Sequence, residues 1–343
     1  MPKVLTVNEL EIGMIVENDV INQKTGVVLI AQNTVMTKSL IRKLSIYGID
    51  TICIKEQMNS YTYNQELMVS YSRVEEKLDS LFDDIRNGNH VEVDEVFNEM
   101  EGFAIEVSKE RDILTQLRLL HRKDDYTFNH SISVSILAIS LGKWANFTKE
   151  QIFDLSITGL FHDIGKLRVP DKIINKPGQL TSEEYDIVKK HSLYSHEILV
   201  QTEKFNENVL LGVLHHHEKI NGLGYPNNLK GDEIHPYAKV ITICDIYDAL
   251  VSQRTYKERE NPLKVADYIK DESFDSLDPF LSHIFLENIS RFYVGNKVLL
   301  SNGETGKIIY IHPQDKTKVI VKAGEDFINF FNPQNIEIVD IIV

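Results

Sequence analysis

The stretch HHEKINGLGYP, His216 to Pro226, decides how this chain is read. Two adjacent histidines, an acid and a Gly-x-Gly-Tyr-Pro turn seldom coincide by chance. Upstream lies LFHDIGK, with His162, Asp163 and Lys166; downstream lies ICDIYDALVSQRTYK, with Asp245, Arg254 and Lys257. Together these are the residue types of a polymetal site with its own phosphate-handling cations. Imidazole and carboxylate ligands suit Fe, Mn, Zn or Ni, and the lack of nearby thiolate argues against a structural zinc knot.

Five of the 12 histidines, His130, His162, His191, His216 and His217, fall in or beside apolar helical segments. Asp245 sits inside the otherwise apolar VITICDIYDAL. A bare buried carboxylate is costly, so Asp245 needs an opposite charge, which a metal cation supplies. Counting Asp163, the seven candidate ligands exceed the about four to six that one ion takes, so two ions are the natural number. Adjacent ligands such as His162 and Asp163, or His216 and His217, point about 100° apart on a helix. They can clasp a shared site only near a helix end, with the carboxylate bridging. Two ions about 3.5–4 Å apart can activate water and stabilise an in-line displacement at phosphorus. No Ser-His or Cys-His pairing is evident as a rival nucleophile.

Each residue also has a plainer reading. A lone His-Asp pair is weak as a motif. Lys166 follows His162 by four residues, which on a helix places it one turn on along the same face, yet a helix-end lysine is often merely solvated. Arg254 and Lys257 lie in a charged run, RTYKERE, whose usual meaning is a solvated loop; their nearness to Asp245 suits a phosphate clamp. His215 extends the histidine pair to a triple and leaves its register open. His121 and His196 are set aside, and His90, His235, His283 and His312 fall in turns or on the surface.

The chain has 343 residues, enough for two or three domains. Its 42% hydrophobic and 26% charged content is that of a globular protein. A formal net charge of −14 repels polyanions, so an anionic substrate must be held by local cations, and no basic stripe marks a nucleic-acid duplex binder. Cys53 and Cys244 are far apart in apolar segments and read as buried, reduced thiols. No signal peptide and no apolar run long enough for membrane insertion is apparent, so the chain is expected in the cytoplasm.

Residues 1–58 form a small β-rich module in which TKSLIRKLSIYG is one short helix and DTICIKE a returning strand. Residues 59–120 are a helical linker. Leu67, Tyr71, Val74, Leu78, Leu81 and Ile85 make one stripe, NGNH breaks it, and Phe97, Met100, Ala104 and Val107 make a second. This is either a helical hairpin packed on the next domain or, through residues 64–120, the seam of a homodimer. Residues 121–292 are almost wholly helical and hold every chemical motif. Residues 293–343 return to β character, a small barrel or ribbon with a turn at Asn302-Gly303. The fold class is mainly α, with β-rich modules at both ends.

Five ordered blocks carry a resemblance. They are DDYTFNHS (Asp124–Ser131), LFHDIGKLRVPDKIINKPGQLT (Leu160–Thr181), KKHSLYSHEIL (Lys189–Leu199), HHEKINGLGYP and CDIYDALVSQRTYK (Cys244–Lys257). About two fifths of the chain, from about Asp125 to Lys257, resembles the HD-GYP domain, a branch of the HD metal-dependent phosphohydrolases. The resemblance implies an HD-type helical bundle, a site of two or three irons, and phosphodiesterase activity on cyclic di-GMP, giving linear pGpG and in some members GMP. It puts His130, His162, Asp163, His191, His216, His217 and Asp245 at metal-ligand positions, with Asp163 bridging and catalytic. Lys166 would act at the scissile phosphate or leaving oxygen, Arg254 and Lys257 would hold phosphate, and Tyr225 would shape the guanine pocket. Spacing to the Gly-Tyr-Pro loop selects His216 and His217 over His215. Two departures stand out. Members with three metals carry a glutamate four residues before the first histidine, where this chain has Tyr126, so two divalent ions are expected, iron first and manganese second. Ser192 replaces the usual proline after His191, with little expected loss. The alternatives are a cyclic di-GMP receptor with little turnover, and a hydrolase of another cyclic dinucleotide such as cyclic GMP-AMP.

Overall fold

The computed structural model describes residues 3–54 apart from positions 12, 13, 15, 23, 24, 33, 35 and 37, then 65–89, 91–110, 117, 126–252, 260–332 and 335–342. Strand β1 (Lys3–Thr6) pairs antiparallel with β4 (Thr51–Ile54), and β2 (Val20–Ile21) with β3 (Val28–Ile30). Helix α1 (Lys38–Ile46) packs beside them. Leu5, Val16, Ile30, Met36, Leu44 and Ile54 give this module an apolar core of its own.

Helices α2 (Gln65–Arg86) and α3 (Asp94–Lys109) form the hairpin that the two apolar stripes predict. Leu67, Tyr71, Val74, Leu78 and Leu81 are at most 3% exposed and join the main core. The stripe read as a dimer seam is therefore consumed within one chain. The reason is that α3 and the helices behind it already cover that face.

The central helix is α4 (Tyr126–Trp144), buried continuously from Asn129 to Gly142. An apolar helix without a polar face belongs inside a bundle, and α3, α5 (Lys149–Phe161), α10 (Pro236–Val251) and α12 (Pro279–Ile289) surround it. Between α5 and α10 run α6 (Asp171–Ile174), α7 (Ser182–Lys189), α8 (His191–Val200) and α9 (Glu207–Leu214). Local sequence sets the starts. Thr148 with Gln151, and Thr181 with Glu184, form capping boxes at α5 and α7. Proline stands at the first position of α10, α11 (Pro262–Glu272) and α12, each after a capping His235, Asn261 or Asp278.

The C-terminal strands are β5 (Lys297–Leu300), β6 (Thr305–Ile311), β7 (Val319–Ala323), β8 (Asp326–Asn329) and β9 (Ile338–Ile342). They form one open antiparallel sheet in the order β8-β7-β6-β5-β9. It is a ribbon, not a closed barrel. Val298, Leu300, Ile308, Val319 and Val321 turn inward and share the main apolar core with α11 and α12. The protein is mainly α with β-rich ends, as its periodicities predict. Cys244 is buried, whereas Cys53 is only half-buried, because it sits on a two-stranded sheet with little to cover it.

Candidate metal centre

Helix ends build the centre. Helix α5 stops at Phe161, so His162 and Asp163 leave it at the turn into a short 3-10 segment (Ile164–Arg168). Helix α9 stops at Leu214, so His216 and His217 likewise stand beyond its last turn. This resolves the problem of adjacent ligands pointing about 100° apart on a continuous helix. His130 comes from α4, His191 opens α8, and Asp245 lies in α10.

All seven side chains converge in two groups, Asp163 with His191, His216 and His217, and His130 with His162 and Asp245. Asp163 faces both. Its Oδ1 lies 3.3 Å from His191 Nε2 and 3.9 Å from His216 Nε2. Its Oδ2 lies 3.3 Å from His162 Nε2 and 3.6 Å from His130 Nε2. Asp245 Oδ1 lies 3.1 Å from His130 Nε2 and 3.9 Å from His162 Nε2.

The rings are aimed by their outer nitrogens. His162, His191 and His216 donate Nδ1–H to the carbonyls of Gly159, Val188 and Val213 at 2.8, 2.7 and 2.6 Å. Each Nε2 therefore carries its lone pair into the site. His191 Nε2 stands 3.2 Å from His216 Nε2 and 3.1 Å from His217 Nε2. With Nδ1 of His191 and His216 already donating, their facing nitrogens are two acceptors, which a shared cation reconciles and a hydrogen bond does not. His162 Nε2 and Asp163 Oδ1 are buried with no hydrogen-bond partner, an expensive condition that ligation removes. The donor set thus fits divalent cations of the nitrogen- and oxygen-binding kind.

His130 is aimed differently, by Asp248, whose Oδ2 accepts from Nδ1 at 2.7 Å with both groups buried. Asp248 was not among the residues nominated from sequence. Its spacing of three from Asp245 in an apolar helix, which puts both carboxylates on one face, is the signal that could have found it. Asp248→Asn should lower metal affinity or activity by about 10–100-fold, measured by metal titration of the purified variant. An unchanged affinity and rate would remove Asp248 from the site's support.

Burial comes first among the causes that hold His191, His216 and His217 neutral, and His217 is pushed down to about 3. Burial opposes charge on His130 too, but Asp163, Asp245 and Asp248 outweigh it and raise that imidazole well above its ordinary value. Burial likewise opposes the charge on Asp163 and Asp245. Even so, His162 and Lys166 hold Asp163 low, and His130 holds Asp245 low. Unfolded imidazole titrates near about 6.5. Below that pH the unfolded chain binds protons that the three neutral histidines refuse, so folding stability falls as pH drops toward their lowered values. His130 has the opposite sign; its contribution is complete below about 6.5 and is lost as pH rises through its raised value. Burial lowers His196, His215 and His235 in the same direction, so with His130 alone opposing, the melting temperature of chelator-treated protein should fall by about 5 °C or more between about pH 7 and pH 5. A calorimetric scan showing no fall would contradict the neutral assignment.

Lys166 does not continue α5 on the face of His162. The helix ends, and the 3-10 segment brings the half-buried ammonium onto Asp163 Oδ2. Ser195 of α8 ties this segment down. Its hydroxyl donates to the carbonyl of His162 and accepts from the Gly165 amide, both at 2.8 Å.

The Gly-Tyr-Pro loop is stapled by Glu218, another residue the motif reading left without a role. Its buried carboxylate accepts from the amides of Asn227 at 2.6 Å and Leu229 at 3.0 Å. Gly224 lies so close that a Cβ would meet Glu218 Cα at 2.4 Å. The loop lays the Tyr225 ring against His217, with centroids 4.7 Å apart, and edge-on to His191. Burial raises the Tyr225 hydroxyl far above its usual value, so it stays protonated. His215 points elsewhere, with Nε2 3.1 Å from Asn227 Nδ2. Tyr126 is the first residue of α4, one turn before His130. Arg254 and Lys257 lie outside the described residues.

Among the described residues no helix is long and apolar enough to cross a membrane. Residues 115–281 match the family described as HD domain. A cyclic di-GMP phosphodiesterase of Pseudomonas aeruginosa is 31% identical over 241 residues, covering 70% of this chain and 58% of that protein. A cyclic di-GMP phosphodiesterase of Thermotoga maritima is 34% identical over 177 residues, covering 50% of this chain and 46% of the relative. A 3′3′-cGAMP-specific phosphodiesterase of Vibrio cholerae is 34% identical over 173 residues, covering 50% and 40%. The chain thus spans between two and three fifths of the length of these relatives. In fold it is similar to an HDG"Y"P protein of Bdellovibrio bacteriovorus, with a TM-score of 0.51 at 13% identity, covering 83% of this chain and 98% of that one. Converging imidazoles, a carboxylate shared between two groups and the match in sequence agree: residues 115–281 are an HD domain, and its histidine pair with the Gly-Tyr-Pro loop carries the HD-GYP signature.

Proposed function

We propose that this chain is a metal-dependent phosphodiesterase that opens cyclic di-GMP to linear pGpG, with GMP as a further product. One observation carries the reading: Asp163 turns one oxygen to each of two imidazole groups, and its Oδ1 and His162 Nε2 are buried there without a hydrogen-bond partner. His191, His216 and His217 would hold one ion and His130, His162 and Asp245 the other, with Asp163 common to both. Bound iron or manganese would supply Lewis acidity and water activation.

The chain's own residues do the rest. Asp248 and the three carbonyl acceptors keep the imidazoles facing inward. Lys166, now on Asp163, is placed to offset charge on a phosphate oxygen near that carboxylate. Tyr225 walls the site beside His217 and His191 with a protonated hydroxyl, which is able to donate to an anionic or carbonyl acceptor on a guanine nucleotide. Arg254 and Lys257 are proposed as further phosphate contacts, on their sequence positions. Such a substrate puts the chain's work in the cytoplasm. Any homodimer through residues 64–120 would use the polar outer faces of α2 and α3, since the apolar stripe is buried.

A second substrate, cyclic GMP-AMP, is favoured by the Vibrio cholerae relative named for it. The test is anaerobic reconstitution with Fe(II) or Mn(II), incubation with each dinucleotide, and chromatography of linear products. Faster cleavage of cyclic di-GMP is expected. Faster cleavage of cyclic GMP-AMP would replace the substrate, and tight binding with no product would make the chain a receptor.

A further inference from the structure

The outer face of the C-terminal sheet carries a row of like charges. Lys297 on β5 stands opposite Lys307 on β6, Lys307 opposite Lys322 on β7, and Lys322 opposite Phe327 on β8. All three lysines are exposed, and Phe327 is 64% exposed. Neighbouring strands lie about 4.8 Å apart, so the lysines root a line about 10 Å long. Like charges directly opposite each other on a sheet are destabilising. Three other lysines near this sheet are ion-paired, Lys264 with Glu337, Lys270 with Asp315 and Lys316 with Glu287. None of the three in the row is, among the described residues. Asp340 on β9, a carboxylate on the same face, stands opposite Leu299, two residues along β5 from Lys297.

Aromatic rings share this face. Lys322 Nζ lies 5.8 Å from the Phe327 ring centroid. Tyr310, 44% exposed, stands opposite Ile320, which is two residues from Lys322 and so on the same side of β7. Tyr310 follows Lys307 by three residues, and in a regular strand that odd offset would turn it into the core. A register shift between Ile308 and Tyr310 restores it to the outer face. The local irregularity thus gathers ammonium groups and exposed rings on one surface.

We propose that this face binds single-stranded nucleic acid. The lysine row complements successive backbone phosphates, and Phe327 and Tyr310 offer faces to unpaired bases, the combination that open sheets use for single strands. A duplex keeps its bases stacked away from such rings. Two rings among three lysines bury too little apolar surface to anchor a bilayer. The net charge of −14 opposes long-range capture, so binding must come from contact.

The test is fluorescence anisotropy of the full chain with short labelled oligouridylate and oligothymidylate at about 50 mM salt. Both strands should bind, and a preference for either reports on the ribose hydroxyl. The double variant Lys307→Gln/Lys322→Gln should weaken binding about tenfold and flatten its salt dependence relative to the unsubstituted chain. Phe327→Ala should weaken it about tenfold without that change in salt dependence. An unaltered melting temperature verifies folding; should the double variant melt early, Lys322→Gln alone takes its place. No binding of either strand would overturn the proposal. So would equal binding by every variant, or lysine-dependent binding only to phosphatidylglycerol vesicles or to a second copy of this chain. Binding needs no turnover, so these outcomes are independent of the phosphodiesterase reading.

Discussion

Asp163→Ala should lower dinucleotide turnover by about three orders of magnitude or more, equivalent to about 4 kcal/mol of transition-state stabilisation. The side chain is 4% exposed and, among the described residues, is the carboxylate that faces both imidazole groups. Its removal takes the shared carboxylate from each group at once, leaving His191, His216 and His217 with no carboxylate of their own group. Metal content should fall with the rate. Elemental analysis of the purified variant beside an initial-rate assay reads both, and a variant with normal rate and full metal would contradict the shared-carboxylate arrangement. Lys166 loses its ion-pair partner in the same variant, so Lys166→Met is the companion that separates the two effects. It should retain metal while losing rate.

Gly165→Ala should be nearly as damaging, for a reason that is purely steric. A Cβ at this position would lie 2.1 Å from the carbonyl oxygen of His191 and 2.4 Å from the amide of Ser195. Both are backbone atoms of α8, which cannot rotate away. The 3-10 segment would have to lift off α8, at a cost of about 3 kcal/mol or more. That shift would carry Asp163 away from His191, and a displacement of about 1 Å in a reacting constellation can lower a rate about a hundredfold. Thermal melting and metal titration of the variant measure the two consequences. Gly102→Ala is the control. Nothing lies within 4 Å of its added Cβ and it sits inside α3, so the exchange should stabilise the chain by up to about 1 kcal/mol. Similar melting temperatures for the two variants would show that the α8 contact does not constrain Gly165.

Much of the site was legible because its chemistry is written in rare residue types. Histidine and aspartate in apolar surroundings need a reason to be there, and Asp245 within VITICDIYDAL states that need within a single helix. The hairpin, the break at NGNH and the return to β structure after α12 were legible because apolar periodicity and turn residues are local signals. Lys166 does reach the candidate ligands, but by the 3-10 segment and not by the helical spacing that was extended past Phe161, where α5 ends. The stripe of α2 could not reveal its partner. Leu67, Tyr71, Val74, Leu78 and Leu81 require an apolar neighbour, and an intrachain helix serves as well as a second subunit.

Residue order alone therefore specified the helices and the strands, which depend on neighbours a few positions apart, and it named the candidate ligands. It was silent on Asp248 behind His130, on Glu218 beneath the Gly-Tyr-Pro loop, and on the division of the seven candidate ligands into two groups around Asp163. His130 and Asp248 are more than a hundred residues apart in the chain, and even the shorter Glu218 contacts span nine and eleven positions that only the folded loop brings together. Distances of that kind are fixed by how buried faces pack against one another, and packing is a property of the assembled core.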